Sequence, residues 1–155
     1  MRRTVATLLL FFGMVLPLCS YAATPLVFDN RITGATKLNL SHFTRAHLQS
    51  DIEKYDIARI DLNDDYYDEY ILKQKNCVLD VPPEQFCTFI IIGEKEEKLV
   101  QISVFNAKKI QISGKKHAGI YDILAFQSKK NDYEYERYIW SPDDKTYIRE
   151  GTFGG

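Results

Sequence analysis

Side chains that carry oxygen recur at alternate positions between residues 61 and 69. Asp61, Asn63 and Asp65 stand at the first, third and fifth positions of this stretch, and Glu69 stands at the ninth. Calcium prefers six to eight oxygen ligands, and a loop with oxygens at this spacing can wrap around the ion. The pattern therefore predicts a calcium site with these four residues as ligands, completed by the backbone carbonyl of Tyr67.

Two positions in the same stretch depart from a calcium loop. Tyr66 occupies the sixth position, where calcium loops place a glycine, and Leu72 occupies the twelfth position in place of a bidentate glutamate. Asp and Asn side chains also cap turns without any metal. The sequence therefore leaves two interpretations open, a calcium site and an acidic turn between two antiparallel strands, and it favours the turn.

The residue types that most often catalyse reactions do not form a recognisable set. His42 and His47 are five residues apart, which does not place them on one helical face as zinc ligands, and His117 stands far from both. No Gly-x-Ser-x-Gly nucleophile motif is present. We therefore expect no catalytic residues and a protein that is not an enzyme, with the histidines solvated at the surface. A hydrolase with an unrecognised carboxylate site is the minor alternative.

Aromatic residues cluster near the end of the chain. In a strand, Tyr133 and Tyr135 would face one side, and Tyr138 and Trp140 the other. Tyrosine and tryptophan are enriched at protein interfaces, so Tyr138 and Trp140 are a candidate partner surface. Ordinary packing between strands is the alternative, and it is favoured.

The start of the chain has the pattern of an export signal. Two arginines precede an apolar run from Val5 to Leu18, and small residues follow up to Ala23. We therefore predict that residues 1–23 are a cleaved signal peptide and that the protein is periplasmic or secreted. A membrane anchor and a lipidated Cys19 are alternatives, but the run is shorter than a membrane span and Leu18 is bulky where a lipoprotein signal needs a small residue.

Two cysteines, Cys77 and Cys87, remain after the predicted cleavage. An even number of cysteines in an exported chain favours a disulfide. Closing this short loop adds roughly 3 kcal/mol of stability in the chain-entropy model. Two free buried thiols are the alternative.

The charge balance argues against a nucleic-acid partner. The chain has 20 basic and 21 acidic residues, and removing Arg2 and Arg3 with the predicted signal leaves a net charge of about −3. A nucleic-acid-binding domain would carry a basic stripe instead. After signal cleavage no apolar stretch is long enough to cross a membrane, so we expect no stable membrane span.

The remaining chain, residues 24–155, is predicted to form one globular β-rich domain. Residues 40–55 are predicted as a helix capped by Ser41, after a loosely ordered lead-in over residues 24–39. The apolar, β-branched run from Cys87 to Ile92 predicts a central strand.

Other strands are indicated by alternation of apolar and polar residues from Ile57 onward, and the tail 151–155 is predicted to be flexible. Short turns between strands favour antiparallel pairing. We therefore expect an α+β fold, in which one N-terminal helix precedes a mainly antiparallel β meander. Seven or eight strands would form a curved sheet on the helix or a partly open barrel.

Several short motifs occur in a characteristic order. The stretch 60–72 is followed by the cysteine pair, the apolar strand 89–92, the segment 119–124 and the aromatic hairpin 138–147. The first of these resembles the D-L-N-G-D-G-x-x-E-Y-I-V segment of FG-GAP/VCBS-type repeats, with Asp64 and Tyr66 where glycines are usual. The whole order is similar to that of small exported bacterial proteins of unassigned function. The motif occurs once, which argues against a propeller.

This resemblance implies a periplasmic binding or inhibitory protein. We therefore expect a non-enzymatic domain that binds another periplasmic protein, with an inhibitor or an immunity-type protein as the nearest functional analogues. A calcium-dependent binding module that uses the Asp61–Glu69 loop is the alternative, and calcium is then the only cofactor expected.

Overall fold

A computed structural model describes most of the chain downstream of the predicted signal. The described residues are 23–29, 32, 34–79, 85–127 and 133–154. Residues 1–22 of the predicted signal peptide, with Cys19, lie outside the described residues.

The described part of the chain contains one α-helix, one short 3₁₀ helix and ten strands. The helices are α1 (Gly34–His47) and the 3₁₀ turn Ile52–Lys54. The strands are β1 (Thr24–Pro25), β2 (Tyr55–Ile60), β3 (Glu69–Gln74), β4 (Val78–Leu79), β5 (Gln85–Lys95), β6 (Lys98–Ala107), β7 (Lys109–His117), β8 (Ile120–Phe126), β9 (Tyr135–Ser141) and β10 (Thr146–Phe153).

The strands form two five-stranded sheets in which every pairing of named strands is antiparallel. The central sheet contains β2, β3 and β5 in that order, and both β4 and β6 pair with β5. The outer sheet has the order β1-β7-β8-β9-β10. The prediction of one helix followed by antiparallel strands is confirmed. Nine strands follow the helix, and they divide into two sheets.

The central sheet is buried on both faces. Phe89 and Ile91 of β5 lie in the core between the two sheets, whereas Ile90 and Ile92 lie in a second core that includes Leu40 of the helix. Alternate residues of a strand point to opposite faces, and a strand covered on both faces reads as a continuous apolar run. The layers are therefore helix, central sheet and outer sheet.

The helix begins and ends earlier than predicted. It starts at Gly34 and not at Leu40, and it ends at His47, where Gln49 takes a positive φ of 49°. A left-handed residue is a common way to end a helix. The prediction of residues 40–55 was wrong because the apolar face starts only with Leu40 and Phe43, which are both buried.

The predicted lead-in and tail are structured. Thr24 pairs with Ile112 of the outer sheet, while Phe28 forms a bridge with Ala58 of the central sheet. We call residues 24–29 the strap, because they join the edges of both sheets. At the other end β10 continues to Phe153, so the expectation of a loose lead-in and a flexible tail was wrong for the described residues.

The predicted disulfide is present. Cys77 and Cys87 are bonded, with their Cα atoms 4.3 Å apart. The bond ties the chain after β3 to the start of the central strand β5. None of the helices in the described residues is long and apolar enough to cross a bilayer.

Candidate functional site: an acidic loop with exposed tyrosines

Strand pairing fixes both ends of the acidic loop. Ile60 of β2 is paired with Glu69 of β3, so residues 61–68 must form the connection between them. The backbone carbonyl of Leu62 also accepts a hydrogen bond from the amide of Tyr121 in the outer sheet (2.8 Å). The loop is therefore tied to both sheets.

The carboxylate of Asp61 holds the loop together. Its Oδ1 accepts the backbone amides of Asn63, Asp64 and Asp65 at 3.2, 2.7 and 3.2 Å, and its Oδ2 accepts the amide of Tyr66 at 2.9 Å. Partial desolvation acts to raise the pKa of Asp61, but the four amide donors outweigh it and lower the pKa. One ionised side chain thus satisfies four consecutive amides.

The other three predicted ligand residues join the same network. Asn63 Oδ1 accepts the amide of Asp65 (2.9 Å), and Asp65 Oδ1 accepts the amide of Tyr67 (2.8 Å). The side-chain amide of Asn63 donates to Asp65 Oδ2 at 2.9 Å and to Glu69 Oε1 at 3.4 Å. The structure therefore brings Asp61, Asn63, Asp65 and Glu69 together, as their spacing predicted.

Glu69 is the most buried carboxylate of this network. Its Oε2 accepts the backbone amide of Leu62 at 2.7 Å. Burial is the main cause that raises the pKa of Glu69, and the nearby charges of Asp65 and Asp61 add to it, although the Leu62 amide opposes the change. The protonated form of Glu69 is therefore favoured more strongly in the folded loop than in water.

The arrangement is one of hydrogen bonds, with no cluster of metal ligands formed. The described residues contain no group of three or more His, Cys, Asp or Glu that could hold a metal ion. Asn63 turns its side-chain NH₂ group, and not its oxygen, toward the carboxylates of Asp65 and Glu69. The geometry therefore matches the acidic-turn interpretation, and calcium binding stays a prediction.

The loop backbone is held in an unfavourable conformation at two positions. Asp64 and Tyr66 have φ values of 61° and 71°, in the left-handed region. These are the positions where the resembling repeats carry glycine. A left-handed conformation costs about 1–2 kcal/mol for a residue with a Cβ, and least for Asp and Asn. Hydrogen bonds to Asp61 must offset this cost.

Two tyrosines project from the loop into solvent. Tyr66 is 96% exposed and Tyr67 is 74% exposed. Ion pairs flank them, between Asp64 and Lys116 of β7 and between Asp68 and Arg59 of β2. Sequence reasoning missed this pair as a candidate surface. Two adjacent tyrosines inside an acidic run were the available signal, because a turn cannot bury both.

A pocket of about 240 Å³ lies behind the loop, between the ends of the two sheets. Gly93 lines the pocket. A side chain at this position would collide with Ile102, because an added Cβ would lie 2.5 Å from Ile102 Cδ1. The lining includes Asn63 and Glu69 from the loop network and Ile102, Ile120, Trp140 and Tyr147 from the sheets.

The predicted partner residues Tyr138 and Trp140 face inward. Both are half-buried and pack against the core between the sheets. The Tyr138 ring lies 4.6 Å from that of Phe105, and Trp140 lies 5.6 Å from Tyr147, both edge to face. Burial raises the pKa of Tyr147 strongly. Trp140 thus forms a pocket wall, and the aromatic residues mainly pack strands, as the favoured alternative predicted.

The three histidines have different surroundings. The ring of His47 lies 4.7 Å from that of Phe43 on the helix, and His42 is an exposed residue of the same helix. His117 contacts the buried carboxylate of Asp122 at 2.6 Å. The expectation of a purely solvated role is therefore wrong for His117.

Replacing Tyr66 with glycine should stabilise the protein. Glycine adopts positive φ without strain, and removing the exposed Tyr66 ring loses little packing. We therefore expect the free energy of unfolding of Tyr66→Gly to be about 0.5–1 kcal/mol higher than that of the wild type. The Tyr67→Gly variant is the matched control, because Tyr67 is exposed but does not have a positive φ. Its free energy of unfolding should be about 0.5–1 kcal/mol lower than that of the wild type. Urea denaturation measures both, and equal losses in the two variants would contradict the strained loop.

Glu69 should make stability depend on pH. Its folded pKa is raised, so the folded state binds this proton more tightly than the unfolded chain. The free energy of unfolding of the wild type, minus that of Glu69→Gln, should therefore rise as the pH falls from about 7 to about 4. Urea denaturation across this range measures the difference. Glu97→Gln, at an exposed turn, is the control, and a difference that falls with decreasing pH would refute the assignment.

Comparison with known proteins adds no relative to this description. No family model, no curated protein and no solved structure matches the chain. The resemblance of residues 57–148 to exported bacterial proteins therefore stays a prediction.

Proposed function

We propose that this protein is an exported, non-enzymatic domain that binds another protein through the tip of its acidic loop. The observation that carries the proposal is the pair of tyrosines, 96% and 74% exposed, on a loop held by Asp61. Tyrosine is among the residues that dominate binding energy at protein interfaces. Backbone strain at Tyr66 supports a functional role, since such strain persists where a conformation is needed.

The rigidity of the loop favours tight binding. Each flexible side chain that becomes ordered on binding costs about 0.5–1.5 kcal/mol, and ordering a loop adds to that cost. Here the backbone amides of residues 63–67 are already bonded to Asp61, Asn63 and Asp65. Tyrosine adds a large contact area with only two side-chain torsions to fix. The loop can therefore enter a partner without first losing much conformational entropy.

The charge of the loop indicates the kind of partner. Asp61, Asp64, Asp65, Asp68 and Glu69 are acidic, whereas two cations among the described residues, Lys116 and Arg59, form ion pairs with them. The remaining charge is negative, so a complementary partner presents a basic cleft. An inhibitor or an immunity-type protein, which blocks the active site of a basic enzyme, would act in this way.

Export is part of the proposal. The basic and apolar start of the chain supports a cleaved signal peptide, and the disulfide between Cys77 and Cys87 fits an oxidising compartment. The site of action is therefore periplasmic or extracellular, and the net negative charge favours a protein partner over nucleic acid.

Capture from a periplasmic extract tests the proposal. Immobilised wild type should retain a basic protein, identified by mass spectrometry, and the Tyr66→Ala/Tyr67→Ala double variant should bind it at least about tenfold more weakly. Tyr133→Ala is the control, because Tyr133 is 79% exposed outside the loop. Binding should also weaken as salt is added. Identical capture by the wild type and the double variant would remove the loop from the interface.

Calcium-dependent binding is the second candidate function. It is favoured by the positive φ of Asp64 and Tyr66, which gives the loop the turn that glycines provide in calcium loops. The ligands would be Asp61, Asn63, Asp65 and Glu69. Coordination would require the Asn63 side chain to rotate, so that its oxygen replaces its nitrogen beside Asp65 and Glu69.

Thermal denaturation with calcium and with a chelator distinguishes the two functions. A ligand that binds only the folded state stabilises it by about 2.7 kcal/mol at a hundred times its dissociation constant. A calcium module should therefore melt at a higher temperature in millimolar calcium, and Asp65→Asn should reduce the increase. Superimposable curves would exclude the calcium function and leave the protein-binding function intact.

A further inference from the structure

A buried carboxylate lies beneath the end of the β7–β8 hairpin. Asp122 of β8 has 0% exposure, and its Oδ1 lies 2.6 Å from Nδ1 of His117, whose side chain is 39% exposed. Its Oδ2 has no hydrogen-bond partner within the described part of the chain. A buried charge is costly unless it is paired. Asp122 therefore depends on His117 as its partner.

The hairpin holds His117 in place. His117 is paired with Ile120 across the turn, and the two residues between them, Ala118 and Gly119, have φ values of 49° and 85°. Such a two-residue turn with positive φ at both positions is a tight and rigid connection. Because Nδ1 is bonded to Asp122, the ring orientation is fixed and Nε2 is the nitrogen left for a ligand.

The exposed side of His117 opens on a cationic depression of about 560 Å³. Lys115, Lys116 and Tyr121 line it with the histidine. The Lys116 ammonium lies 4.2 Å from the centre of the Tyr121 ring and pairs with Asp64. Lys115 forms no ion pair with any residue that the structure describes.

The charged groups around His117 come from four strands. Lys115 is on the same strand as His117, and Asp122 lies on β8. Glu150 of β10 is also near. A hydrogen bond from Arg137 of β9 has the largest effect in lowering the pKa of Glu150, and the charges of His117 and Lys115 lower it further. Glu150 is already paired with Arg137. Asp122, Glu150 and Asp64 are thus each paired, with His117, Arg137 and Lys116 respectively. Among the described residues that line the depression, Lys115 is then the cation left without an ion pair.

We propose that this depression binds an oxyanion, a phosphate or carboxylate group, through Lys115 and the protonated imidazole of His117. Asp122 is a positioning residue: it directs Nδ1 inward, so that Nε2–H is offered to the anion, and its buried charge balances the imidazolium. Charge-assisted hydrogen bonds of this kind are among the stronger ones in proteins. The site adjoins the acidic loop through the ion pair of Lys116 with Asp64, but it uses neither Tyr66 nor Tyr67 and does not depend on their function.

Titration with inorganic phosphate, followed by NMR of the backbone amides at constant ionic strength, tests the proposal. Saturable shifts are expected for residues 114–121. His117→Gln and Lys115→Gln should each weaken phosphate binding about threefold to tenfold, because each removes a charge-assisted hydrogen bond. Lys54→Gln, on the exposed 3₁₀ turn, should change nothing.

Asp122→Asn tests the positioning role. Asparagine can still accept the Nδ1–H bond, but it carries no charge to balance the imidazolium, so phosphate should bind more weakly than to the wild type. A merely structural role of Asp122 would change stability and leave the affinity for phosphate unchanged. Lys115 is exposed, so Lys115→Gln keeps the test valid if Asp122→Asn does not fold.

Vesicles distinguish the source of the anion. Co-sedimentation with phosphatidylglycerol vesicles but not with phosphatidylcholine vesicles, lost in Lys115→Gln, would assign a lipid headgroup. Saturable phosphate binding without co-sedimentation would assign a soluble oxyanion. Shifts that do not saturate, or equal affinity in the wild type and His117→Gln, would overturn the proposal.

Discussion

Burial of the central sheet on both faces is the constraint from which the other features follow. The strand β5 sends Phe89 and Ile91 toward the outer sheet and Ile90 and Ile92 toward the helix. Each such side chain contributes about 1.5–3 kcal/mol when it is fully buried, so neither covering layer can be absent. Because β2 and β3 are built into this sheet, the acidic loop between them emerges at a defined place, at the end of the sandwich.

Within the loop, side-chain acceptors take the place of glycine. The usual way to build a tight, left-handed turn is to remove the Cβ. Here Asp64 and Tyr66 keep their side chains in the left-handed conformation, and the carboxylate of Asp61 accepts hydrogen bonds from the backbone amides of both residues. The result is a turn that carries an aromatic side chain at a position where glycine would carry none. A protein-binding role uses that side chain directly, whereas a calcium role would use only the backbone shape.

The sequence predicted features that depend on short-range patterns. The apolar run of β5, the antiparallel strands, the cysteine pair and the convergence of Asp61 with Glu69 could all be inferred from residue type and spacing. The helix start could not, since residues 34–39 lack the apolar stripe that Leu40 begins. The second sheet depends on contacts between distant segments, such as Thr146 Oγ1 with the carbonyl of Ile102.

The contact of His117 with Asp122 could not be predicted from the sequence for a related reason. Which residues of β7 and β8 meet depends on the register of their pairing, which the sequence does not show. That register contains an irregularity between Ile112 and Lys116. Strand β7 runs through this irregularity as far as His117. Exposure of Tyr66 and Tyr67 did have a signal in the sequence, two adjacent tyrosines inside an acidic run, but residue types alone do not show how far a turn projects each ring into solvent.

The strap has a consequence for the behaviour of the protein in a crowded compartment. It lies along β7 of one sheet and touches β2 of the other, through Thr24 and Phe28. Open strand edges are templates on which a second molecule can add its own strand, and this is a common beginning of aggregation. By occupying part of two such edges at once, a segment of six residues shields the sandwich from unwanted self-assembly.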